Sequence, residues 1–137
     1  MPNITVEYSA NIAGELDAAG LCKLIAATVV KAGEGAFATA AVRVRAYRAD
    51  DYCIADGDPA YAFVNITVRL AKGRPESDRT RTFGAVWEAV KAHLDPVDRK
   101  WTLAISMDVE EFGDRLAFKQ NRIHEKLGTK PFAKVIS

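Results

Sequence analysis

The chain has 137 residues, of which 49% are apolar and 27% charged, with a net charge of +1. That length holds one domain with a real core, and the near-zero charge excludes a protein drawn by its global field to nucleic acid or an anionic membrane. Two cysteines without metal-ligand spacing imply no disulfide framework, and no signal-peptide pattern or apolar run of bilayer length is present, so a cytoplasmic protein is expected.

The first predicted element is a strand led by Pro2-Asn3-Ile4-Thr5-Val6. With the initiator methionine removed, Pro2 carries a free secondary amine whose ring fixes its direction. An ordinary α-amino group titrates at about 7.7–8.0, and an apolar pocket or nearby cations would lower that, giving a neutral general base. Leu21, Leu24, Ile25, Thr28 and Val29 follow the i, i+3, i+4, i+7, i+8 spacing of an amphipathic helix, within which Cys22 reads as a small core residue. Val42, Val44 and Ala46 alternate with Arg43, Arg45 and Tyr47, predicting a half-buried strand. A loop around Asp50 to Pro59, which contains Cys53, closes this half.

The second half repeats the first. Asn3-Ile4-Thr5-Val6 recurs as Asn65-Ile66-Thr67-Val68 at an offset of 62, and Phe83, Val86, Trp87 and Val90 stand at that offset from Leu21, Leu24, Ile25 and Thr28. Pro75, Glu76 and Asp78 suit the start of this second helix, and His93 reads as its end, where a cation suits the dipole. Leu103, Ile105, Met107 and Val109 then alternate with Thr102, Ala104, Ser106 and Asp108 as a last strand. The densest basic stretch, Arg69 to Arg81, is interrupted by Glu76 and Asp78 and reads mostly as a solvated helix face.

The expected fold is therefore α+β: two tandem β-α-β units forming one four-stranded sheet with both helices on one face. The single domain covers 1–125, with pseudo-repeats 2–50 and 61–112, and 126–137 form a C-terminal extension. Ile4, Val6, Val42, Val44, Ile66, Val68, Leu103 and Ile105 should face the helices. Thr5, Glu7, Arg43, Arg45, Phe63, Asn65, Thr67, Arg69 and Ser106 should face away, and their mixture suits burial against further copies of the chain.

Where the halves differ, chemistry is expected. Pro2 aligns with Val64, which is internal and has no free amine, so each chain supplies one base. Arg74 aligns with Ile12 and stands just before Pro75, at the positive end of the second helix. Arg43 lies on the face away from the helices. Two guanidinium forks and a neutral amine suit a small carboxylated substrate, because the forks bind carboxylates and stabilise charge on an enolate oxygen. His93 and His124 are isolated, so no metal is expected, and Asp108, Glu110 and Glu111 read as a solvated acidic edge.

Pro2 with its strand, Ser9-Ala10-Asn11-Ile12, Val42-Arg43-Val44-Arg45, Ala55-Asp56-Gly57, Tyr61-Ala62-Phe63-Val64, Gly73-Arg74, and Phe118-Lys119-Gln120-Asn121 with His124 resemble the tautomerase superfamily. More closely, they resemble the 5-carboxymethyl-2-hydroxymuconate isomerase family, over residues 2 to 125. The resemblance implies a cofactor-free homotrimer that moves a proton within an unsaturated 2-hydroxy dicarboxylate during homoprotocatechuate breakdown. It further implies Pro2 as general base, with Arg43 and Arg74 holding the substrate's carboxylates and dienolate. Two other readings stand beside it. One is a haloacrylate dehalogenase of the same superfamily, which needs a further acid and aromatic partner that the spacing of Glu7, Tyr8, Tyr47 and Tyr61 does not select. The other is a non-catalytic trimeric binding module.

Overall fold

The computed structural model describes residues 2–113 and 116–128. Four strands form one mixed sheet: β1 (Asn3–Ser9), β2 (Arg43–Ala49), β3 (Tyr61–Ala71) and β4 (Thr102–Phe112), in the order β2-β1-β3-β4. β1 pairs parallel with β2, β3 parallel with β4, and β1 antiparallel with β3. Helix α1 (Ala18–Gly33) connects the first parallel pair and α2 (Glu76–Lys100) the second. This is the expected α+β architecture of two β-α-β units.

The duplicated tetrapeptides pair with each other. Thr5 lies opposite Thr67, flanked by Ile4 opposite Val68 and Val6 opposite Ile66. A local twofold axis therefore passes through the Thr5–Thr67 pair, and the sequence repeat becomes a symmetry of the sheet.

Alternation buries Ile4, Val6, Val64, Ile66 and Val68 completely beneath Leu21, Ile25 and Val29 of α1 and Val86, Val90 and Leu94 of α2. Each such side chain contributes about 1.5–3 kcal/mol relative to exposure. Val44, Leu103 and Ile105, on the two edge strands, are only half-buried. The opposite face carries the polar set. Phe63 finds a partner there within its own chain, because the 50–60 loop lays Tyr52 edge-on against it with ring centroids 6.2 Å apart.

The halves are unequal in length. α2 runs to Lys100 rather than ending near His93, and it contains Pro96. Proline removes a hydrogen bond from the helix interior. Continued burial of Leu94 and Val97 outweighs that loss, and Arg99 and Lys100 suit the negative end of the dipole. The buried stripe of α2 is also rotated relative to that of α1: Trp87, the repeat mate of buried Ile25, is half-buried and lines a groove of about 420 Å³ between α2 and β4.

Beyond β4 the chain returns to the other sheet edge. Asn121 Nδ2 donates to Ala40 O at 3.0 Å, and short helix α3 (Ile123–Leu127) buries His124. α3 crosses the 125/126 position at which the sequence reading begins its extension; residues 129–137 and Met1 lie outside the described residues.

Candidate active site

The topology gathers Pro2, Arg43 and Arg74 at one end of the sheet. β1 and β2 start there, β3 finishes there, and α2 begins there. Pro2 is buried, and its carbonyl accepts from Arg43 N at 3.1 Å, extending the β1–β2 ladder by one step. That bond fixes the proline's backbone, and the ring fixes φ, so the direction of the nitrogen is set by the sheet.

Arg43 pairs in register with Asn3. Registered neighbours share a face, so Arg43 lies on the side away from the helices, together with Arg45, whose Nη1 donates to Asn3 Oδ1 at 3.4 Å. Its placement on that face follows the sequence expectation.

Arg74 is held on the helix side. Gly73, at φ 131°, makes the turn from β3 to α2 that an L side chain rarely tolerates, and Arg74 follows it. The residue is 8% exposed. Nε donates to Ala36 O at 2.9 Å, and Cζ sits 4.5 Å from the centroid of the Phe37 ring. Burial pushes the guanidinium pKa down, an effect opposed by the charges of Asp78 and Glu111. In so dry a position its charge acts on an anion with less screening than a surface arginine's. The end of the sheet thus presents a buried proline with one arginine on each side of the sheet plane.

Ala36 and Phe37 have no place in the sequence reading, and Arg81 figures there only as part of a solvated helix face, whereas it binds main chain. Ala36 and Phe37 belong to the α1–β2 connection, 38 and 37 residues from Arg74, and Arg81 donates from Nε and Nη2 to Ala32 O and Gly33 O at 2.9 and 3.0 Å. The acceptors are main-chain carbonyls, whose availability no residue type encodes; the one signal in the sequence is the helix stop Gly33-Glu34-Gly35.

Other residues that carry the resemblance fasten the fold. At the opposite sheet end, Asn11 Nδ2 donates to Tyr61 O at 2.7 Å and Phe63 N to Ser9 Oγ at 3.0 Å. Burial raises the Cys22 thiol, so it stays protonated, while Cys53 is exposed in the loop. Among the described residues no group of three or more His, Cys, Asp or Glu side chains is arranged to hold a metal ion, and no helix is long and apolar enough to cross a membrane.

Comparison with known proteins agrees with this architecture. The profile of the 5-carboxymethyl-2-hydroxymuconate isomerase family matches residues 2–127. The 5-carboxymethyl-2-hydroxymuconate Delta-isomerase of Escherichia coli is 35% identical over 124 residues, covering 90% of this chain and 97% of that protein. A crystal structure of a 5-carboxymethyl-2-hydroxymuconate delta-isomerase is similar at TM-score 0.85 and 26% identity, covering 96% of this chain and 95% of the other. The isomerase from Deinococcus radiodurans R1 is similar at TM-score 0.85 and 27% identity, covering 92% and 93%. By family profile, by identity along nearly its whole length and by fold, this chain belongs to the 5-carboxymethyl-2-hydroxymuconate isomerase family, isomerases of the tautomerase superfamily.

Proposed function

We propose that the chain is a cofactor-independent isomerase acting on an unsaturated 2-hydroxy dicarboxylate of the 5-carboxymethyl-2-hydroxymuconate type, with the Pro2 nitrogen as general base. Its place is the cytoplasmic breakdown of homoprotocatechuate, and its working form is a homotrimer. The observation that supports the reading is that a buried proline at the head of β1, Arg43 at the start of β2 and Arg74 just past β3 all lie at the same end of the sheet.

The chemistry follows from those groups. The neutral Pro2 nitrogen takes the enol O–H proton. The electron pair left on oxygen delocalises along the conjugated chain as a dienolate, and the protonated amine returns the proton to a distant carbon. No electrons enter or leave, so no redox partner is required. Arg43 and Arg74 hold the carboxylates and offset the dienolate charge between the two transfers. Fixing base, acceptor carbon and cations in one site supplies orientation as well as charge.

The test begins with mass spectrometry of the intact protein, where loss of Met1 is expected. Turnover of the muconate is then followed spectrophotometrically. Arg43→Ala and Arg74→Ala should each lower kcat/KM by roughly a hundredfold or more, as loss of a charge-stabilising donor does elsewhere. Activity should fall as pH drops and the amine takes up a proton. Unchanged kinetics in both arginine variants, or full activity with Met1 retained, would overturn the assignment.

A further inference from the structure

We propose that Phe37 is a positioning residue for the reaction: its ring is the platform that fixes the Arg74 guanidinium at the site. This rests on the role given to Arg74 above. A long arginine side chain carries about 2 kcal/mol of rotamer entropy, so one that acts on a substrate gains from being held beforehand. Here the holding group is the face of Phe37, 4.5 Å from Arg74 Cζ, aided by the Ala36 carbonyl on Nε.

The platform is itself held in place by its surroundings. Phe37 is 1% exposed and meets Phe83 of α2 edge to face, with centroids 5.6 Å apart at 72°. Gly33 leaves the room it needs, since a Cβ there would come within 2.9 Å of Phe37 Cδ2. Arg81 clasps the last carbonyls of α1, Ala32 O and Gly33 O, and is steadied by Asp78 at 2.9 Å and Glu34 at 3.5 Å. The α1–β2 connection is thereby tied to the first turns of α2, the element that follows Arg74. An aliphatic side chain of similar volume would still fill the core at position 37, though without the edge-to-face contact to Phe83. Only an aromatic face also attracts the cation through its quadrupole.

Graded fluorination of the ring tests this nearly isosterically. Phenylalanine at 37 is replaced by mono-, di- and trifluorophenylalanine, and separately by leucine, in the wild-type chain and in Arg74→Ala. Turnover of 5-carboxymethyl-2-hydroxymuconate is measured together with the thermal midpoint. The expected result is a stepwise fall in kcat/KM with each fluorine, reaching roughly tenfold for the trifluoro ring or Phe37→Leu, the scale of a desolvated cation–π contact. The fall should vanish in the Arg74→Ala background, since coupled residues are not additive. A flat series in an enzyme that Arg74→Ala still cripples overturns the role of Phe37 and leaves that of Arg74 standing. An equal fall with and without Arg74 overturns it too, because the ring would then act by another route. If Arg74→Ala alone leaves turnover unchanged, the reading of the arginine fails first. Should Phe37→Leu not fold, the fluorinated series decides.

Discussion

At Thr82 the hydroxyl oxygen is buried beside Gly33 and, among the described residues, has no hydrogen-bond partner. Desolvating an unpaired hydroxyl costs about 1–3 kcal/mol, and valine has the same shape without that cost. Thr82→Val should therefore raise the thermal midpoint by roughly 2–4 °C, as a gain near 1 kcal/mol does in a domain of this size. A lower midpoint in calorimetry would show that the oxygen has a partner in solution. Arg74 shows how far single residues can be read ahead of structure. Its position before Pro75 marked it as an anion-site candidate, but its attachment to Ala36 and Phe37 spans 38 and 37 residues of chain. Periodicity reports which face a side chain occupies and says nothing of which distant carbonyl it meets. Phe37 and Arg81 were missed for that reason, lying in a helix stop and on a charged helix face.

Among the elements, the repeat made the sheet legible, because two copies of one β-α-β pattern leave few ways to pair four strands. It was less informative about length. Assuming that His93 closed α2 overlooked the burial of Leu94 and Val97 on either side of Pro96. The added turns have a use at the far end of the bundle. Lys100 and Trp101 reach Glu15, in the segment just before α1, and clasp the beginning of one helix to the finish of the other. The hydrogen bond from Lys100, with that from Trp101, holds the Glu15 pKa below the ordinary glutamate value. A carboxylate lowered on folding adds stability that is complete above its unfolded pKa and is lost as pH falls through the folded one. Acid should therefore lower the thermal midpoint of the parent faster than that of Glu15→Gln, and the two should converge at low pH. Parallel curves from neutral to acid would mean that this clasp does not form. Because Glu15 is solvent-exposed, the gap should also narrow with added salt.

For the whole molecule, the sheet register arranges charge across the helix-free face. One row reads Arg43, Asn3, Arg69, Glu110 from β2 to β4, and the next Arg45, Thr5, Thr67, Asp108. The β2 edge is thus basic and the β4 edge acidic, a head-to-tail complementarity that suits closure of the proposed threefold ring. Arg45→Glu should weaken assembly in sedimentation experiments, and pairing it with Asp108→Arg should restore it. If the double variant is no better than the single one, those edges do not meet. The twofold axis through Thr5 and Thr67 adds a constraint on stoichiometry. It relates Pro2 to Val64, whose nitrogen is locked in a peptide bond, and the site end to one sealed by Asn11 and Ser9. A ring of three chains would hold six symmetry-related mouths, alternately live and blind. An electrophile that alkylates the imino group should accordingly stop at a single adduct per polypeptide, with half of those mouths never labelled.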